Sequence, residues 1–280
     1  MRFSVRGLMT LVVILGGALG WVVHLAHIQR DAVAEIERAG GGVMYNWQYV
    51  NGLRDDAGKP PWPKWLVDLV GVDYLGSAVH AVFCGEECRD ELLAGIGSLS
   101  RLDRLNLDGA GVSGAGFVHL ERLGRLQILE LGGSDVGDAD LRHLAGLTSL
   151  KQLYLNATKI GDAGVAHLEG LRGLEWLYLA GTQVSDVGLI HLRGLGRLQV
   201  LNLINTRVSD AGLEHLKTLP DLQYLYLGGT QVTDAGLKHL EAMTSLRVLD
   251  LNNDEAPPPK VTRAAAKELQ HALPNLTIEF

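Results

Sequence analysis

The chain has 280 residues and a formal net charge of −7, with 47% hydrophobic and 20% charged residues. That is an ordinary globular balance apart from an apolar N-terminus. No Lys/Arg cluster stands out, so the electrostatic footprint of a nucleic-acid partner is missing. Two cysteines, Cys84 and Cys88, are too few for a disulfide-rich scaffold.

From Gly7 to Gln29 there is no Lys, Arg, Asp or Glu, and Leu8–Val23 is apolar apart from Thr10. A membrane-crossing helix needs ~20 residues, and Leu8–His27 supplies that length. Residues 1–30 are therefore expected to form an anchor. Arg2, Arg6 and the free amine precede the span; Arg30 and Arg38 come after it, mixed with Asp31, Glu35 and Glu37. This asymmetry predicts a cytoplasmic N-terminus and an extracytoplasmic remainder. A signal peptide cleaved near Ala18-Leu19-Gly20 is the alternative, although apolar residues continue through Trp21, Val22 and Val23. Either reading exports the rest of the chain. Gly16 and Gly20 have the spacing that lets two such helices approach closely, and small residues are also common there without that role.

Residues 31–77 read as a juxtamembrane segment and N-terminal cap. Asp31–Gly40 has helical character, Val43–Val50 is expected to be a strand, and Asn51–Lys64 is a polar linker. Pro60, Pro61 and Pro63 stop any helix there. Trp65–Val70 predicts a short helix with Trp65, Leu66 and Leu69 on one side.

Residues 78–253 repeat every 24 residues. The pattern Leu-x-x-Leu-x-Leu begins at Leu102, Leu126, Leu150, Leu174, Leu198, Leu222 and Leu246. A fixed period in the low twenties with this spacing predicts a leucine-rich repeat solenoid, an α/β horseshoe with a parallel concave sheet and short convex helices. One period before Leu102, Ala81, Phe83, Cys88, Asp90, Ile96 and Leu99 fall on the matching columns, so Ala78–Arg101 reads as a degenerate first copy. Residues 254–280 break the period: Asp254–Lys260 carries three prolines, Thr262 can cap a helix over Arg263–Leu273, and Leu276–Phe280 can add a strand. That arrangement suits a C-terminal cap.

Each column of the repeat has an expected role. The Leu-x-Leu core alternates with a strand's period, leucines inward. Ser134, Thr158, Thr182, Thr206 and Thr230 stand where the chain leaves the strand, ready to bond backbone groups of the turn. Val112, Val136, Ile160, Val184, Val208 and Val232 fill the core below. Asp138, Asp162, Asp186, Asp210 and Asp234 precede helical spacing and are expected to N-cap their own helices. Gly114 interrupts that column, so its helix should start less well. His119, His143, His167, His191, His215 and His239 form a further column. Copies related by near-translation point their imidazoles in parallel, whereas a metal needs converging ligands, so no metal site is expected.

The run Leu222–Leu240 (Leu-Gln-Tyr-Leu-Tyr-Leu-Gly-Gly-Thr-Gln-Val-Thr-Asp-Ala-Gly-Leu-Lys-His-Leu) resembles the repeats of bacterial leucine-rich repeat proteins of the LxxLxLxxTxVTDAGLxHL type. The resemblance covers residues 78–253, and the N-terminal anchor is similar to that of exported members. It implies a protein-interaction module without enzyme activity, and it names no ligand; no cofactor is expected. The repeats are also similar to those of F-box adaptors, but the sequence carries no F-box and its apolar N-terminus argues against that role.

Strand positions between the inward leucines face the concave side. One row is Arg104, Ile128, Gln152, Trp176, Val200, Tyr224 and Val248. The next is Asn106, Glu130, Tyr154, Tyr178, Asn202, Tyr226 and Asp250, and a third begins at Asp108. Tyr154, Trp176, Tyr178, Tyr224 and Tyr226 are the candidate binding residues, because Tyr and Trp bury large area while keeping a polar tip. The same residues also suit strands as plain sheet cover. Cys88 falls on a core column; export also permits a Cys84–Cys88 disulfide, and a metal site with His80 is the third option. The expected function is a membrane-anchored, extracytoplasmic module that binds a protein, peptide or glycan. A self-associating envelope scaffold is the alternative. No nucleophile–base pair, metal cluster or phosphate loop breaks the repeat to suggest an enzyme.

Overall fold

A computed structural model describes residues 5–50, 53–54, 59–70, 76–83, 90–252 and 260–280. It is a solenoid built on a ten-stranded sheet. A single helix, α1 (Val5–Arg38), opens the chain. The sequence divides this stretch into a span and a separate helical segment; the structure runs through both without a break, because nothing between His27 and Arg38 is a helix breaker. Its last turns do the capping: Ala26, Ala32, Val33 and Ile36 are buried. The helix ends on Gly40 at φ +79°, with Gly41 N–H donating to Ile36 O (2.9 Å) and Gly40 N–H to Glu37 O (3.1 Å). This is a Schellman ending, which needs a residue without a Cβ. Among the described residues no helix is long and apolar enough to cross a membrane. The described side chains of α1 are those of Gly17 and of Gly20 to Arg38, so most of the apolar stretch from Leu8 falls outside them.

β1 (Gly42–Tyr45) pairs antiparallel with β4 (Ala78–Val82) and closes one end of the sheet. The strand expected over Val43–Val50 is interrupted. Asn46 exchanges hydrogen bonds with Ser77, and Gln48 accepts from Tyr45 N–H (2.9 Å), which folds Asn46–Gln48 into a 3₁₀ turn. The chain then makes a separate hairpin of β2 (Tyr49–Val50) and β3 (Leu53–Arg54). Helix α2 (Lys64–Val70) starts directly after Pro63. Its Trp65 is 66% exposed while Leu66 is half-buried, so the two do not share a packed side.

From β4 onward every strand is parallel and in the same register. β5 (Arg104–Asn106), β6 (Ile128–Glu130), β7 (Gln152–Tyr154), β8 (Trp176–Tyr178), β9 (Val200–Asn202), β10 (Tyr224–Tyr226) and β11 (Val248–Asp250) succeed one another in order. The central leucines Leu105 to Leu249 stack directly on one another with no exposure. β12 (Thr277–Glu279) adds to β11 after the capping helix Arg263–Ala272. Thr262 caps that helix by accepting from Ala265 N–H (3.2 Å). Residues 253–259, which hold the prolines of the C-terminal region, lie outside the described residues.

The turn columns have concrete partners. Each hydroxyl of Thr158, Thr182, Thr206 and Thr230 donates to the leucine carbonyl three residues back, at 2.6–2.7 Å, as Ser134 does. The residue before it adopts positive φ at Gly133, Ala157, Gly181, Asn205 and Gly229, as Gly109 does before Ala110 in the same column. At the core below, a second ladder joins copies: Lys159 N–H donates to Val136 O, Gln183 to Ile160, Arg207 to Val184 and Gln231 to Val208.

The aspartate column does not cap its own helices. The N-cap positions are the residues before it: Ser185, Ser209 and Thr233 precede helices starting at Asp186, Asp210 and Asp234. Each aspartate instead reaches into the following copy. Asp162 accepts from Ser185 N–H (2.7 Å), Ser185 Oγ (2.6 Å) and Gly188 N–H (2.9 Å). Asp186 holds Ser209, Asp210 holds Thr233, Asp90 holds Ser113, and Asp234 holds Thr262 in the same two-point manner. The first helical position still favours a negative charge, since it sits at the positive end of the dipole. Between repeat copies a glycine makes room for the carboxylate. A Cβ on Gly164, Gly188, Gly212 or Gly236 would lie 2.3–2.6 Å from the Oδ1 of the aspartate one copy earlier. At Gly114 the first helical position has no carboxylate; Ser113 before it is still held by Asp90, and the missing acceptor is also felt one copy later, at Gly137.

Candidate interaction face

The strands present two rows of side chains toward the concave side. Register places Tyr154 opposite Tyr178, Tyr178 opposite Asn202, and Asn202 opposite Tyr226. In the neighbouring row Gln152, Trp176, Val200, Tyr224 and Val248 succeed one another. The strands are three residues long, so the third row belongs to the turns and helps join copies. Asp108 accepts from Gly132 N–H (2.6 Å) and Asn156 from Ala180 N–H (2.9 Å).

All five candidate aromatics lie on β7, β8 and β10, and the structure brings some of them into contact. The rings of Tyr154 and Tyr178 stack with centroids 4.6 Å apart and planes 12° from parallel. That separation is close to the strand spacing, so adjacent rings in one row stand face to face. Tyr154 donates from its hydroxyl to Gln152 Oε1 (3.2 Å). Tyr224 is the most open, at 38% exposure, and the others are half-buried. Burial pushes the Tyr154 phenol up to about 12, reinforced by Tyr178 and Glu130 and opposed by Arg104. Burial also raises Tyr178, and it raises Tyr226 with help from Tyr178, Asp250 and Glu279. These phenols therefore stay protonated at neutral pH and can donate hydrogen bonds to a ligand.

Beside the aromatics lies a polar cluster that the repeat pattern alone does not single out. Glu130 is 7% exposed and accepts from both Arg104 and Asn106. Its signal in the sequence is the placing of opposite charges in adjacent rows one copy apart. Next to it, Asn46, Val79, His80, Asp103, Arg104, Gln127 and Ile128 line a cleft of ≈ 320 Å³ at the N-terminal end of the concave face.

The histidine column lies on the convex side, and three of its members bond to the preceding copy. His143 Nδ1 is 2.6 Å from Glu121 Oε1, His191 meets Glu169, and His215 Nδ1 is 2.6 Å from Arg193 Nη2. Among the described residues no three His, Cys, Asp or Glu side chains are grouped to hold a metal. Cys84 and Cys88 lie outside the described residues, so the choice between core, disulfide and a metal site with His80 lies there too.

No protein-family model and no curated protein matches the chain. Solved structures do. An internalin of Listeria monocytogenes superposes with a TM-score of 0.56 at 22% identity, over 66% of this chain and 49% of that one. A leucine-rich repeat protein of Leptospira interrogans gives 0.51 at 20% identity, over 67% and 51%. The chain thus spans about half the length of these bacterial proteins. The shared property is the fold: this chain is a leucine-rich repeat solenoid.

Proposed function

We propose that the chain is a membrane-anchored, extracytoplasmic interaction module that binds a partner macromolecule on its concave face, without catalysis or cofactor. The observation that carries this reading is the gathering of Tyr154, Trp176, Tyr178, Tyr224 and Tyr226 on strands β7–β10 of one accessible sheet face. Large aromatics with polar tips are the residue type that concentrates binding energy. The anchor rests on the uncharged Gly7–Gln29 stretch within α1. Near the end of that stretch Ala26 is buried, and the Gln29 amide bonds Gly76 O (3.0 Å) and Ala78 N–H (3.1 Å).

Two experiments test the reading. Trp176→Ala with Tyr178→Ala is expected to weaken cross-linked partner capture by more than about tenfold with little change in melting temperature. Unchanged capture moves the site off the concave face. A reporter active only in the cytoplasm, fused after Phe280, is expected to be silent; activity there reverses the orientation.

A self-associating scaffold is the second reading, favoured by the sheet ending on strand β12. An unpaired strand edge is a template for another chain. Sedimentation of the purified chain separates the two: growth with concentration supports the scaffold, and a discrete species supports the receptor.

A further inference from the structure

The tyrosine row has one gap. Tyr154 and Tyr178 stack across β7 and β8, Asn202 comes next on β9, and Tyr226 resumes on β10. One face of Tyr178 meets Tyr154, so its other face turns toward β9. Asn202 leaves the space above it open, because its Oδ1 folds back to accept from Ile204 N–H (3.0 Å). The adjoining row repeats the shape: Trp176 and Tyr224 flank Val200. Val200 is 7% exposed whereas Ile128 and Val248 of the same row are half-buried, so in this row the flanking aromatics close over the floor.

At Asn202, β9 is therefore the floor of a short groove walled by Tyr178 and Tyr226. Its walls stand two strand spacings apart, about 9.6 Å. A flat group in van der Waals contact with a ring on each side needs about 7 Å between ring planes. The groove thus admits one planar group and is too narrow for a second chain's helix.

Charge selects among planar groups. In the two rows from β5 to β12 the one cation is Arg104, already engaged by Glu130. Asp250 and Glu279 stand beyond Tyr226, near enough to act on its phenol. A carboxylate ligand would meet repulsion here; a cation would meet ring faces, with the field of two carboxylates behind the second ring.

We propose that the groove over β9 receives an arginine from a basic segment of the partner protein, its guanidinium above Asn202 between Tyr178 and Tyr226. A guanidinium is planar, weakly hydrated and stacks on aromatic faces, which the compact, strongly hydrated lysine ammonium does not do as well. The inference rests on the reading of the concave face as the partner site and specifies the chemistry of that partner.

The test uses the full chain in bilayer discs and a fluorescent arginine-rich peptide, with its lysine counterpart of equal length. The arginine peptide is expected to bind saturably and about tenfold tighter than the lysine peptide. Asn202→Tyr completes the tyrosine row with a residue the fold already carries at that position in other copies. It is expected to lower arginine-peptide affinity at least about tenfold, while the melting temperature reads separately the loss of the acceptor for Ile204 N–H. Asp250→Asn keeps the oxygen that accepts from Asn252 N–H and is expected to lower affinity by a smaller factor. Equal binding of the two peptides, equal binding by wild type and Asn202→Tyr, or no binding overturns the inference. If Trp176→Ala with Tyr178→Ala abolishes partner capture that the arginine peptide does not compete, the concave reading stands and the arginine groove falls.

Discussion

A Cβ on Gly114 would lie 2.0 Å from Oδ1 of Asp140, so these two residues admit only one side chain between them. Elsewhere in the stack the first helical position carries the aspartate and the copy after it carries the glycine, as in Asp162 and Gly188. Here the roles are exchanged. With no carboxylate at 114, Gly137 N–H finds its acceptor in Asp140 Oδ2 (2.9 Å), within its own copy. The helix beginning there, Asp138–Leu144, is wound as a 3₁₀ helix.

Reversing the exchange is the first prediction. Gly114→Asp alone is expected to destabilise the chain, because two carboxylates then compete for one site. Asp140→Gly alone leaves Gly137 N–H unanswered at a cost of about 1–3 kcal/mol. The double variant is expected to recover most of both losses. Urea unfolding of the four proteins measures the coupling; additive losses would show that the two positions act separately.

Asp186→Ala is expected to cost more than an ordinary cap. It removes two acceptors used by Ser209, on its backbone and on its hydroxyl. Hydrogen bonds to charged groups contribute about 1.5–3 kcal/mol. Ser209→Ala should lose less, since the backbone bond remains. Thermal unfolding distinguishes the two, and equal losses would place the energy in the hydroxyl alone.

Ala157 holds φ at +54° in a column that otherwise uses glycine or Asn205. A left-handed conformation strains a Cβ, so Ala157→Gly is expected to stabilise the chain by about 0.5–1 kcal/mol despite the added backbone freedom of the unfolded state. A fall in melting temperature would mean that the entropy term wins.

Tyr154 supplies an alkaline signature. Its folded pKa is raised from 10.0 to about 12, so the folded chain holds that proton more tightly than the unfolded chain. The resulting stability is complete below pH 10 and is lost between pH 10 and about 12. Tyr154→Phe is expected to flatten this part of the stability curve. An unchanged slope would assign it to other groups.

Much of the architecture is legible in the sequence because the period repeats in strict register. The inward leucines, the turn threonines and the two concave rows come from spacing alone. The aspartates are harder. Asp before a helical run is the usual mark of a cap, and only the stacking shows that its partner is 23 residues away. The break after Tyr45 depends on Asn46 meeting Ser77, 31 residues on, which no local pattern reveals. At the interaction face, spacing places Tyr154, Tyr178, Asn202 and Tyr226 in a row. That two rings stack and an amide folds away is a matter of side-chain torsions.

The carboxylate ladder gives the stack a direction. In each rung the acceptor belongs to the earlier copy and the donor to the later one, from Asp90 and Ser113 to Asp234 and Thr262. A ribosome delivers the chain N-terminus first. Except at Gly114, each new copy thus emerges to find its acceptor already folded, and the growing end shows a carboxylate, which water solvates well. Shortening the chain from the opposite end would instead strand an amide without an acceptor. Growth of the array, in synthesis and across gene duplication alike, is therefore least costly at its C-terminal side.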